Sequence, residues 1–265
     1  LREARRRLEQ AGVPDASIAA EVLLAHALGT DRAFLRALDG APPPDFDGLL
    51  QRACAREPVA YLTGRVSWWD TEIAVGPGVF VPSQETERVV EEFLRRLPPG
   101  ARCVADLGTG SGAVAIALRR ARPDLVVIGT ERHLPALRWA RRNDPRLALV
   151  RLDWCRGLCG LDGVIANPPY VAADEWPLVA PERRYQPREA LDGGPDGLAA
   201  IRRIVRDAPG VLKPGGLLVL EIGFRQGDNV VALLESAGAY ADVFRVRVGT
   251  NDRIVGATCI RPSSR

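Results

Sequence analysis

From Cys103 to Ile260, short apolar runs alternate with amphipathic stretches, and this constrains the fold more than any other feature of the chain. CVADLG, LVVIGT, LALVRLD, LDGVIAN and GLLVLEIG have the length and apolar content of buried strands. GAVAIALRRA, HLPALRWARR, the segment 196–210 and NVVALLESAG read as helices. Strands of this kind, buried on both faces and joined by helices, form a largely parallel sheet covered on both sides. The last two runs, VFRVRVG and RIVGATCI, adjoin through GTNDR and predict a hairpin with one antiparallel strand near the sheet edge. Ligands of such α/β sheets sit at the carboxyl ends of the strands.

The chain has 265 residues, enough for one large domain and a small one. Apolar spacings of three and four predict helices over 1–29, broken at AGVPD, with Asp15 or Ser17 capping the second. Asp31 starts a further short helix, GAPPPD at 40–45 is a turn, and Phe46 to Arg56 is again helical. VSWWDTEIAV and VFVP, with GPG between them, predict a β-hairpin at about 66–82. Glu85 to Leu97 is a helix with Val89, Val90, Phe93 and Leu94 on one face.

The net charge of +3 does not mark a nucleic-acid binder, and Lys213 is the only lysine among 36 basic residues. No apolar run reaches the 18 residues of a membrane span, and LREARRRLEQ reads as an amphipathic helix rather than a signal peptide. Cys54, Cys103, Cys155, Cys159 and Cys259 are scattered and odd in number, as expected of free thiols in a reducing, cytoplasmic compartment. Cys155 and Cys159 lack the further ligands of a metal site, so no metal is expected.

The segment ADLGTGSGAVAIAL places Asp106 at a strand end, then Gly108, Thr109, Gly110 and Gly112, then a helix. Glycines let a backbone turn tightly and approach a ligand, and the helix N-terminus offers free N–H groups. Gly108, Gly110 and Ala113 also fit a dinucleotide fingerprint. Glu131 ends the next strand and suits two ribose hydroxyls, or alternatively caps the following helix. A carboxylate at Asp106 repels a pyrophosphate but suits a cationic sulfonium or amino-acid tail, which favours S-adenosyl-L-methionine over NAD. Asp153 and Trp154, after the third strand, fall where an adenine would lie; Trp154 alternatively packs against the sheet.

NPPY follows the fourth strand on the ligand side. An amide nitrogen is a poor nucleophile because its lone pair is delocalised into the carbonyl. The Asn167 side-chain oxygen and the Pro168 carbonyl can accept its two N–H bonds, Pro168 and Pro169 stiffen the backbone, and Tyr170 can stack on the flat amide. Methyl transfer is an in-line displacement that needs positioning more than acid–base power. Asn167, Pro168, Pro169 and Tyr170 are therefore the candidate catalytic residues, with Asn167 also at the cofactor.

AEVLLAHALG, REPVAYLTG, DLGTGSG, NPPY, QPREALDGGPDGL, LKPGGLLVLEIGFRQG and NDR together resemble the bacterial release-factor glutamine methyltransferases, the HemK/PrmC family. The resemblance spans nearly the whole chain. It implies a class I S-adenosylmethionine-dependent methyltransferase, a Rossmann-like seven-stranded sheet. Residues 1–65 would be a helical substrate-recognition domain, 66–89 the hairpin and linker, and 90–265 the methyltransferase domain. The implied reaction moves a methyl from S-adenosyl-L-methionine, leaving S-adenosyl-L-homocysteine, to the side-chain nitrogen of the GGQ glutamine in class 1 peptide chain release factors. The family's Gly-rich loop matches Gly108 to Gly112, its acidic ribose and adenine residues match Glu131 and Asp153, and its substrate-holding motif matches Asn167, Pro168, Pro169 and Tyr170; Glu85 is a further candidate substrate-binding residue. The chain is expected to be a monomer with no membrane and no stable nucleic-acid partner.

Two departures stand beside the cleft. PSQETE at 82–87 replaces the family's PRPETE, so Ser83 and Gln84 stand for Arg and Pro, and Glu131 stands where Asp is usual. The alternatives left open are a relative acting on a small molecule or another protein, and an adenine N6-methyltransferase of nucleic acid, since NPPY also suits an exocyclic base amine.

Overall fold

The computed structural model describes residues 1–37 and 41–260; of the expected turn at 40–45, Gly40 lies outside them. The helical start is α1 (Arg2–Gln10), α2 (Ala16–Ala27), a 3-10 turn at Arg32–Ala37, α3 (Phe46–Cys54) and α4 (Val59–Thr63). Leu8, Leu23, Phe46, Leu50 and Leu62 close its own small core. Asp15 does precede α2, but with φ 48° and no side-chain cap bond, and Ser17 lies inside the helix.

A short hairpin follows, β1 (Arg65–Trp68) and β2 (Thr71–Ala74). It corrects the expected hairpin at 66–82: the turn is Trp69–Asp70, and VFVP is not a strand. The backbone of 79–82 has other partners. Tyr61 donates its hydroxyl to the Val79 carbonyl at 2.5 Å, Val81 N–H donates to Gln186 Oε1 at 3.0 Å, and Pro82 has no N–H. The end of β2 is bracketed by Asn143, which accepts from Ala74 N–H at 2.8 Å and donates to the Ala74 and Ser111 carbonyls, each at 2.9 Å.

Next come α5 (Gln84–Arg96), β3 (Cys103–Leu107), α6 (Ala113–Ala121), β4 (Val126–Glu131), α7 (Leu134–Asn143), β5 (Ala148–Arg151) and β6 (Leu161–Ala166). Three 3-10 turns between 173 and 190 lead to α8 (Ala199–Asp207), β7 (Leu212–Glu221), α9 (Gly227–Ser236), β8 (Tyr240–Val248) and β9 (Asn251–Cys259). The seven-stranded sheet has the order β5-β4-β3-β6-β7-β9-β8. The strands from β5 to β7 are parallel; β9 runs antiparallel to both β7 and β8, as the GTNDR hairpin predicts.

Both faces are covered. Phe93 of α5 and Leu118 of α6 belong to one core with Val104, Val127 and Ile165 of the sheet. Ile201 and Ile204 of α8 and Val230 of α9 belong to the other. Gly163 of β6 lets α5 pack close: a Cβ there would meet the Phe93 ring at 2.6 Å. Among the described residues no helix is long and apolar enough to cross a membrane.

The chain leaves β3 for β4 and β5 on one side and returns to β6 on the other. Leu107 pairs with Ala166 at the ends of β3 and β6, so the Gly-rich loop and NPPY emerge side by side. This is a topological switch point, where α/β sheets bind ligands.

Candidate active site

A cleft with about 1150 Å³ of empty space, open to solvent, lies over this switch point. Asp106, Gly108, Thr109, Gly110, Glu131, Asp153, Trp154, Asn167, Pro169 and Tyr170 all line it. Gly112 begins α6 beside the cleft, Pro168 is buried and outside the lining, and Glu85 is exposed outside it. Thr86 of α5, Val79, Phe80 and Pro82 from the loop after the hairpin, and Arg183 and Glu189 from the 3-10 segment also line it.

Asp106 lines the cleft but presents little surface to it. It is 2% exposed, and Thr109 donates its hydroxyl to Oδ2 at 2.5 Å. Burial pushes its carboxyl up to about 7, against the pull of Thr109 and of the Ala115 N–H in α6, with the Glu131 charge adding to the rise. Asp106 thus fastens the loop to the helix it precedes. Gly108 has φ 71°, and a Cβ on it would meet the Trp154 ring at 3.3 Å, so the loop and that ring are in close register.

Glu131 braces the start of α7 and the Gly-rich loop and keeps acceptor capacity for a ligand. Its Oε1 accepts from His133 N–H at 2.9 Å at the start of α7, and its Oε2 accepts from Gly110 N–H at 3.3 Å. An ionised carboxylate has about four acceptor sites, so two remain for a ligand. Asp153 is half committed: Arg203 donates to its Oδ2 at 2.5 Å. Its Oδ1 and Trp154 Nε1 are buried with no hydrogen-bond partner among the described residues. An acceptor and a donor left unsatisfied in the same wall fit a nucleobase, which carries both kinds of group. The φ of Trp154 is 61°, a strained backbone for a bulky side chain.

The acceptor side is organised by residues that the motif search passed over. Asn167 Nδ2 donates to Thr86 Oγ1 at 3.0 Å, and Thr86 donates its hydroxyl to Glu221 Oε2 at 2.6 Å. The Tyr170 hydroxyl donates to Glu221 Oε1 at 3.3 Å, and Arg253 donates to that hydroxyl at 3.1 Å from beside the ring. Arg253 also holds Glu85 at 2.5 Å. Gln226 donates to the Tyr170 and Gly197 carbonyls, which ties the segment after NPPY to the ALDGG loop. The one signal for Glu221, Gln226 and Arg253 was that EIG…Q and NDR belong to the resemblance.

Ser83 is accounted for locally. It N-caps α5, its Oγ accepting from Glu85 N–H at 3.2 Å, while its carbonyl accepts from Trp68 Nε1 at 2.8 Å. Neither Ser83 nor Gln84 lines the cleft.

The chain matches the family model of the PrmC N-terminal domain over residues 1–64 and that of the methyltransferase small domain over 70–182. It is 39% identical over 253 residues to a release factor glutamine methyltransferase of Xylella fastidiosa (strain Temecula1), covering 91% of this chain and 92% of that one. A protein of the same name from Moorella thermoacetica is 41% identical over 254 residues, with 91% and 90% covered. Among solved structures, a methyltransferase from Pyrococcus furiosus superposes with a TM-score of 0.51 at 19% identity, covering 70% of this chain and 87% of that one.

Proposed function

This chain belongs to the release factor glutamine methyltransferase family, and on that premise we propose that it methylates the side-chain amide of the GGQ glutamine in class 1 release factors. The observation that carries this reading is the orientation of Asn167. Asn167 lines the cleft with its nitrogen turned to Thr86, and no described residue donates to its Oδ1. A primary amide offers two N–H bonds, and Oδ1 can accept one of them. The second acceptor is the Pro168 carbonyl, to which no described residue donates. Holding both N–H bonds out of the amide plane weakens the delocalisation that makes this nitrogen unreactive. Tyr170, fixed by Glu221 and Arg253, supplies the flat surface against the amide.

S-adenosyl-L-methionine, when bound, supplies a methyl carbon on a sulfonium and leaves as S-adenosyl-L-homocysteine. Glu131 would hold its ribose, the loop from Asp106 to Gly112 its amino-acid tail, and Asp153 and Trp154 its base. Residues 1–65, in a cytoplasmic monomer, would seat the release factor. Two contacts brace that unit against the cleft wall: Arg56 pairs with Glu182 at 2.5 Å, and Tyr185 donates to the Ala55 carbonyl at 2.9 Å. A helical unit held in this way would let its own contacts with a bound release factor orient the glutamine at the reacting centre.

Incubation with methyl-labelled cofactor and the host's own release factors, followed by peptide mass mapping, is expected to place one methyl on the GGQ glutamine. Label on nucleic acid or a small metabolite, with none on the release factors, would replace this reading.

Asp106 makes cofactor binding depend on pH. A bound cation favours the ionised carboxylate, so binding below pH of about 7 must release a proton. Cofactor affinity is therefore expected to fall as pH drops from 8 to 6, by up to about tenfold per unit below 7. Calorimetry in buffers of different ionisation enthalpy should detect the released proton, and Asp106→Asn should abolish it. Proton release unchanged in that variant would assign it to another group.

A further inference from the structure

We propose that Thr86 and Glu221 are positioning residues that set which end of the Asn167 amide meets the substrate. The inference rests on the reading of Asn167 as an acceptor.

A carboxamide presents an oxygen or an NH₂ group depending on a half-turn of its last torsion, and the two ends differ little in shape. If Asn167 turned over, it would offer a donor to a substrate nitrogen that also carries donors. The half-turn must therefore be biased, and the bias reads out atom by atom. Thr86 has a single hydroxyl proton, and the hydroxyl is 2.6 Å from Glu221 Oε2. Glu221 is 1% exposed and accepts from Thr86 on one oxygen and from Tyr170 on the other. Burial pushes the Glu221 carboxyl up, against the pull of the Thr86 hydroxyl, of Arg253 3.6 Å from its Oε1 and of the Tyr170 hydroxyl, and the relay operates in the carboxylate form that these three partners favour. An ionised carboxylate has no proton to give back, so the Thr86 proton is committed to Glu221. Towards Asn167, Thr86 can then only accept, and the Asn167 end that faces it must be Nδ2. That contact is 3.0 Å long.

The three residues come from α5, the loop after β6 and the end of β7, so the relay is tertiary. Thr86 is 3% exposed, which keeps water from replacing the hydroxyl as a second donor.

Thr86→Val removes the hydroxyl at nearly constant shape, and Glu221→Gln gives its partner a donor. With release factor as acceptor, both are expected to lower kcat by about tenfold or more. Cofactor affinity by calorimetry and Tm should stay near wild type. Thr86→Ser, which keeps the hydroxyl, should regain most of the turnover. In an Asn167→Ala background, Thr86→Val should cause no further loss, because its effect runs through that amide. Wild-type kcat in Thr86→Val, with Asn167→Ala impaired, would overturn the proposal and leave the reading of Asn167 standing. Full turnover in Asn167→Ala would instead overturn that reading and the proposal with it. A kcat loss in Thr86→Val that Thr86→Ser does not repair, or that adds in the Asn167→Ala background, would assign Thr86 a packing role and overturn the proposal.

Discussion

Asn167→Ala is expected to lower kcat by about a hundredfold to a thousandfold while cofactor affinity stays within about twofold, the range seen when one preorganised polar group is taken from a transition state. Its Nδ2 is spent on Thr86, so the part of the side chain available to substrate is Oδ1. Deleting it leaves the substrate amide one acceptor short at the moment its nitrogen must give up delocalisation. The ground-state complex loses less, because a planar amide in the cleft still has the Pro168 carbonyl and the Tyr170 ring. The loss should therefore appear in kcat rather than in KM. The local fold should survive, because Pro168 and Pro169 restrain the backbone and Gln226 holds the Tyr170 carbonyl at 2.9 Å. Steady-state kinetics with release factor, paired with cofactor calorimetry, measures both quantities. A variant that loses cofactor affinity and turnover in equal measure would place Asn167 at the cofactor rather than at the acceptor amide.

The sheet was legible in sequence because strands buried on both faces must be apolar throughout. CVADLG and LDGVIAN became β3 and β6, buried from Val104 to Leu107 and from Gly163 to Ala166. The two loops that open the cleft were legible for a related reason: Gly108 and the paired prolines impose backbone geometry by themselves. The hairpin was misplaced because VFVP has the composition of a strand, yet its backbone is satisfied by Tyr61 and Gln186 from distant segments. Composition cannot register such tertiary partners. The same holds for the network behind Asn167, where Thr86 and Glu221 are 135 residues apart and Glu85 and Arg253 168 apart. Asp106 was read from its strand-end position as a carboxylate suited to a cationic group; its near-complete burial and the hydrogen bond it accepts from the Thr109 hydroxyl, three residues on, were not part of that reading.

Glu131→Ala should weaken cofactor binding by about tenfold to more than a hundredfold, corresponding to roughly 1.5–3 kcal/mol for losing a charge-assisted hydrogen-bond acceptor. The number alone does not identify the contact, because Glu131 also braces the protein. It accepts from Gly110 N–H in the loop and from His133 N–H at the start of α7. Loosening either could lower affinity without any bond to ribose. A second substitution, this time in the ligand, separates the two causes. Wild-type protein should bind a 2′-deoxyribose analogue of the cofactor more weakly than the cofactor itself, since a hydroxyl that Glu131 accepts from is missing. In Glu131→Ala the acceptor is already gone, so the two ligands should bind alike, and the coupling should equal the loss that the deoxy ligand shows in wild type. Glu131→Asp, which restores the residue usual in the family, keeps the charge but shortens its reach. It should retain part of the discrimination between the two ligands, with a weaker hold on Gly110. Equal discrimination in wild type and Glu131→Ala would leave Glu131 as a brace for the loop and α7, and would move the ribose to another acceptor on the cleft wall.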